Sequence, residues 1–199
     1  SLLVRAGIVG ISPDEWFTLA SGIKSPVYFD CRLLWSDVGV RNLVMEIMVQ
    51  AVKAAVLGEA DRVVGVATGG IPPGMILADR LDLPFAYVRP QKKEHGKQSM
   101  VEGLAPAGSS AIVVEDHITT GSSLFRAMDY LTEVGCTPVA VVSIIDYGLR
   151  QTELEMEKRQ ARWARLTSFG AIAQALVDAG RIGEDGYEVL MRWRKGLDE

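Results

Sequence analysis

The residues with the clearest chemical potential run from Ala111 to Ser123. A strand-like Ala111-Ile112-Val113-Val114 leads through Glu115 and Asp116 into His117-Ile118-Thr119-Thr120-Gly121-Ser122-Ser123. Such a run suits a phosphorylated ribose. Gly121 lets backbone approach an anion, and N–H groups at the start of the following helix point into the turn. Thr119, Thr120, Ser122 and Ser123 add hydroxyl donors, so a dianionic phosphate is held without buried lysines. The helix terminus supplies roughly half a positive charge, and each converging bond to a charged acceptor adds about 1.5–3 kcal/mol. Acids beside a phosphate repel it, so Glu115 and Asp116 should face something else, and vicinal ribose hydroxyls are good donors to carboxylates. The bland alternative is two acids and some hydroxyls capping a helix. There is no Walker Gly-Lys-Thr/Ser and no GxGxxG after a strand, so nucleotide hydrolysis and dinucleotide binding lose support.

Positioning such a loop takes a strand before it and a helix after it, and the chain repeats that unit. Leu43, Val44, Ile47, Met48, Ala51, Val52 and Ala55 keep helical spacing, with Ser36 or Asp37 as cap and Gly58 as stop. Residues 62–67 read as a buried strand, Thr68-Gly69-Gly70 as a turn, and Pro72 or Pro73 as the start of a helix. Strand character returns over 85–89, 111–115 and 138–146, and helical spacing over 122–134, ended by Gly135. A charged helix over 152–162, a short strand over 163–166 and helices over 172–179 and 187–194 follow. Strands alternating with helices predict an α/β fold with a mostly parallel central sheet flanked by helices, and Glu115 and Asp116 sit where a strand ends, the usual ligand edge. No repeat or linker divides residues 1–199, so a single domain is expected.

Composition narrows the partners. The 199 residues are 48% hydrophobic, enough for a core without staples, and the formal net charge of −4 provides no positive field for nucleic acid or an anionic membrane. The apolar runs are too short for a membrane span. The first residues lack a basic stretch and are broken by Gly7 and Gly10, unlike a signal peptide. Cys31 and Cys136 lie far apart in no CxxC spacing, suiting a reducing, cytoplasmic setting and structural roles. The segment 90–103 is long and polar, with Gln91, Lys92, Lys93, Glu94, His95, Gly96, Lys97, Gln98 and Ser99 nearly consecutive, as in lids and loop tips.

Residues 111–123 closely resemble the phosphoribosyl pyrophosphate (PRPP) signature of type I phosphoribosyltransferases. The block from Phe17 through Ser21, Gly22, Lys24, Ser25, Pro26 and Tyr28 to Asp30 is similar to the N-terminal stretch of the orotate phosphoribosyltransferases. Tyr87-Val88-Arg89, followed by Lys93, His95, Gly96 and Lys97, is similar to that family's catalytic lid. The resemblance covers nearly the whole chain. It implies the type I fold with a small hood from the N- and C-terminal segments and a flexible lid, and transfer of phosphoribosyl from PRPP to orotate, giving orotidine 5′-monophosphate and pyrophosphate with Mg²⁺.

It also implies a homodimer whose lid reaches the neighbouring site. Lys93 becomes the candidate cation for the leaving group, with Arg89 at the lid base, His95 as a second donor and Lys97 beside them; Asp116 joins Lys93 and His95 as a catalytic candidate. Without the other blocks, this charged run would read as a solvated loop. Lys24 is placed at the base or pyrophosphate end, and Tyr28 or Phe29 against the orotate ring. Thr68, Gly69 and Gly70 offer backbone N–H groups to pyrophosphate, although some members carry lysine where Gly69 stands. Arg150 is a candidate for the orotate carboxylate, with a surface position the alternative, and His117 is expected to face solvent. Mg²⁺ is expected on substrate oxygens and water, with no dedicated protein ligand. Competing readings are a purine or uracil acceptor, or a non-catalytic PRPP-binding regulator.

Overall fold

The computed structural model describes residues 2–12, 15–19, 22–56, 60–91 and 99–199. Ser21, Gly58, Lys93, His95 and Lys97 lie outside them. The chain opens with α1 (Leu2–Arg5), β1 (Val9–Ile11), β2 (Phe17–Thr18), β3 (Lys24–Ser25) and β4 (Val27–Phe29), then a 3-10 turn at Cys31–Trp35. There follow α2 (Val38–Val56), β5 (Arg62–Val66), α3 (Ile71–Leu81), β6 (Phe85–Val88) and β7 (Val101–Glu102). The second half comprises β8 (Ser110–Ile118), α4 (Ser122–Glu133), β9 (Thr137–Asp146), α5 (Arg150–Arg159), β10 (Arg162–Ser168), α6 (Phe169–Asp178) and α7 (Glu184–Gly196).

Six strands form the central sheet in the order β10-β9-β8-β5-β6-β7. All neighbours are parallel except β6 and β7. Helices cover both faces, so every residue of β5 is buried. The expected α/β architecture is therefore observed, with β7 as the antiparallel edge.

Local chemistry accounts for the boundaries. The Asp37 carboxylate accepts the Val40 amide at 2.8 Å and so starts α2. Its buried stripe is Val44, Met45, Met48, Val49 and Val52, whereas Leu43 and Ile47, expected on the inner face, are exposed. The inner face is rotated by about one residue from the one that spacing alone suggested, because Met45 and Val49 pack inward. Pro72 and Pro73 occupy the first turn of α3, where no amide is required. The charged helix begins earlier than expected, at Arg150, because the Arg150 amide is taken by Asp198 at 2.8 Å.

The N-terminal strands form two small antiparallel pairs, β1 with β4 and β2 with β3. They join the C-terminal helices through an aromatic cluster. The Phe169 ring lies 5.1 Å from Tyr147, 5.8 Å from Trp193 and 6.1 Å from Phe29. Trp193 Nε1 donates to the Lys24 carbonyl at 2.9 Å, and Arg194 Nε to the Tyr147 carbonyl at 2.7 Å. The hood is thus built from both halves of the chain and rests on the end of β9.

Phe169→Ala removes the ring shared by these contacts and should lower unfolding stability by about 3–5 kcal/mol, measured by urea titration. A change below about 1 kcal/mol would show that the cluster does not hold the hood.

Candidate active site

Parallel pairing of β5 with β8 brings their carboxyl ends to one edge of the sheet. The turn after β5 holds Thr68, Gly69 and Gly70; the turn after β8 holds Thr119, Thr120 and Gly121. Gly121 caps α4 with φ of 73°, and among the described residues no side-chain cap bond is made to the first amides of that helix. Its first amides thus remain available to an anion. A Cβ on Gly121 would also lie 2.5 Å from the Phe125 ring. The Ala67–Thr68 peptide is cis.

The two turns touch. A side chain at Gly69 would overlap the Asp116 carboxylate, and one at Gly70 the Val114 carbonyl. A side chain at position 69 would have to displace the Asp116 carboxylate from where it now sits.

A cavity of about 410 Å³ is lined by residues 118–124 with Glu115, His117 and Arg126, and by Thr18, Leu19 and Tyr28 from the N-terminal segment. A second cavity of about 570 Å³, between β1 and α7, is larger but is lined by no acid or hydroxyl among the described residues. The chemistry lies in the first. Glu115, Thr119, Thr120, Gly121, Ser122 and Ser123 are therefore brought together. Lys24 approaches through Thr18, donating to its hydroxyl at 2.7 Å. Tyr28 lines the cavity, whereas Phe29 is core.

Other expected residues fall around this group. Arg89 pairs with Glu102 at 3.5 Å and lines a small neighbouring cleft with Pro90, Ser123 and Arg126. Arg150 is exposed at the start of α5 and is absent from the cavity lining. Arg126 had not been anticipated: it lines both the cavity and the cleft, and its Nη1 donates to the Pro90 carbonyl at 3.4 Å. The available signal was helical spacing, since Arg126 falls one turn after Ser122 and Ser123.

The acids occupy different electrostatic states. Burial, and then the charge of Asp116, push the Glu115 carboxyl well above the usual carboxylate range. It accepts from the Ser123 hydroxyl at 3.3 Å. Burial would also raise Asp116, but His117 outweighs it and leaves Asp116 below its ordinary value. The His117 amide donates to Asp116 Oδ1 at 2.8 Å, and its Nδ1 lies 3.2 Å from the same oxygen.

Nδ1 is buried without a well-aligned hydrogen bond, so the ring contact is electrostatic. Burial alone would lower the imidazole, yet Asp116 raises it above the usual histidine value. His117 thus does not simply face solvent as expected: β8 stays paired with β9 as far as Ile118, which draws the ring partly under cover.

A family model described as phosphoribosyl transferase domain matches residues 40–165. The orotate phosphoribosyltransferase of Listeria monocytogenes serotype 4b is 36% identical over 193 residues, covering 97% of this chain and 92% of its own. That of Bacillus subtilis strain 168 is 38% identical over 187 residues, covering 94% and 86%. The crystal structure of orotate phosphoribosyltransferase from Aeropyrum pernix superposes with a TM-score of 0.75 at 33% identity, covering 92% of this chain and 98% of that one.

Because the native Glu115 value lies above the unfolded one, its stability penalty starts as pH rises past the ordinary carboxylate range and is complete above the raised value. Glu115→Gln should raise Tm in mildly alkaline buffer and give no gain in acid below that range, as followed by calorimetry. An equal gain at both ends would show that the charge of Glu115 is not the cause.

Proposed function

The chain belongs to the orotate phosphoribosyltransferase family, and on that premise we propose that it transfers the 5-phosphoribosyl group of PRPP to orotate, releasing orotidine 5′-monophosphate and pyrophosphate. One observation carries the reading: the hydroxyl-rich turn at the start of α4 shares a single cavity with Tyr28 and Thr18, so a phosphate cradle and an aromatic wall face the same space. Residues 1–199 are read as one phosphoribosyltransferase domain.

In this reading the 5-phosphate rests on the amides after Gly121 and on the hydroxyls of Thr119, Thr120, Ser122 and Ser123. Asp116, held ionised by His117, accepts from a ribose hydroxyl, while the more readily protonated Glu115 can donate as well as accept. The pair therefore suits hydroxyls that both give and receive. The amides of Thr68, Gly69 and Gly70 are assigned to pyrophosphate, and Lys24 to the base or pyrophosphate end.

As the C1–oxygen bond breaks, positive charge builds on the ribose and negative charge on pyrophosphate. Lys93, with Arg89, His95 and Lys97, is assigned to the leaving group, around which the reaction requires water to be excluded. Arg150 is kept as the candidate for the orotate carboxylate.

The oxygen-rich donor set of Glu115, Asp116 and the hydroxyls fits a hard cation carried mainly on substrate oxygens and water. Mg²⁺ bound in that way neutralises charge on the departing pyrophosphate. A homodimer with shared lids and a cytoplasmic setting belong to the same proposal; two free, buried cysteines agree with a reducing compartment.

The deciding test offers PRPP and magnesium with orotate, uracil, adenine, guanine or xanthine separately, measuring pyrophosphate and nucleotide. Turnover with orotate alone supports the proposal; turnover with a purine or uracil would overturn the acceptor, and PRPP binding without turnover would turn the reading toward a regulator. Lys93→Ala should lower turnover about tenfold or more, one charge-assisted bond of roughly 1.5–3 kcal/mol in the transition state. An unchanged rate removes Lys93 from the mechanism. Gly69→Ala should weaken PRPP binding about tenfold or more, since the added methyl displaces either Asp116 or the turn; isothermal calorimetry reads this directly, and an unaltered affinity would separate the two turns functionally.

A further inference from the structure

Behind the cavity, three side chains of different chemistry converge. The Cys31 thiol at the start of the 3-10 turn, a carboxylate oxygen of Asp116 and a ring nitrogen of His117 all lie within 4.8 Å of one another. We propose that Cys31, Asp116 and His117 form a binding site for a thiophilic divalent cation of the zinc or cadmium type, which competes with the sugar donor for Asp116.

Several independent observations point there. Two nitrogen or oxygen ligands about 2.1 Å from one cation stand roughly 3.0–3.4 Å apart at octahedral to tetrahedral angles. His117 Nδ1 and Asp116 Oδ1 stand 3.2 Å apart, the bite of a chelate. At that distance the two atoms attract each other, but the contact is too poorly aligned to satisfy the buried Nδ1 fully. A cation between them would satisfy the nitrogen that the protein alone leaves unsatisfied.

The surroundings favour positive charge. Asp116 and Glu115 are buried beside Cys31 without a lysine or arginine bonded to either carboxylate among the described residues, so a dication there would meet uncompensated acids. Thiolate with imidazole selects borderline and soft metals over Mg²⁺. His117 and Glu115 line the cavity, which gives an entry path. Water would complete the coordination shell.

The competition rests on the donor role assigned to Asp116 above; the cation site does not. The test titrates CdCl₂ into the reduced, chelator-treated full chain and follows the ultraviolet charge-transfer absorption of a cadmium–thiolate bond. One Cd²⁺ per chain with that absorption is expected, displaced by ZnCl₂. Cys31→Ser should abolish the signal and Cys136→Ala, which alters the other buried cysteine, should retain it.

His117→Gln, at a partly exposed position, should weaken binding about tenfold or more, with far-ultraviolet circular dichroism confirming that both variants remain folded. No thiolate band in the parent, a band surviving in Cys31→Ser, or undiminished affinity in His117→Gln overturns the site. With free Cd²⁺ fixed by a metal-ion buffer, so that chelation by PRPP itself is cancelled, added PRPP should lower the apparent Cd²⁺ affinity of the protein about tenfold or more. A band indifferent to saturating PRPP would reject the competition and the donor role of Asp116, while leaving the cation site standing.

Discussion

The close approach of two turns organises this protein. Gly70 packs against the Val114 carbonyl and Gly69 against the Asp116 carboxylate, with no room for a Cβ at either position. This contact follows from β5 and β8 lying side by side and parallel, so that both chains leave the sheet at the same edge. Once the turns are fixed, their helices are fixed as well, because α3 starts directly after one and α4 after the other. The cavity then forms against the β8 turn, and the N-terminal segment closes its other side.

The two acids illustrate how neighbouring residues acquire opposite behaviour from their surroundings. Glu115 and Asp116 are adjacent and both buried, but the His117 amide and ring both lie against Asp116. Burial therefore wins at Glu115 and charge wins at Asp116. His117 is thus the residue that breaks the symmetry of the dyad.

What could be read from sequence was local. The strand, turn and helix across residues 110–133 were legible because the apolar run, Gly121 and the helical spacing are contiguous. The clash behind Gly69 was not, since it depends on a residue far along the chain. His117 was misplaced for a similar reason: the strand was expected to end at Glu115, and only pairing with β9 carries it to Ile118. The inner face of α2 was off by about one residue because two methionines and several valines compete for the core. Arg150 and Asp198 are 48 residues apart and meet only when α7 folds back beside α5. The lid residues Lys93, His95 and Lys97 were read from resemblance and lie outside the described structure.

The bond from Trp193 to the Lys24 carbonyl has a consequence for biosynthesis. The sheet and its phosphate loop are encoded in the middle of the chain and can form while the C-terminal residues are still inside the ribosome. The pair β2–β3 cannot gain its support from α7 until that helix has emerged. A nascent chain would therefore acquire its anion cradle before the strand that carries Lys24 gains its support from α7.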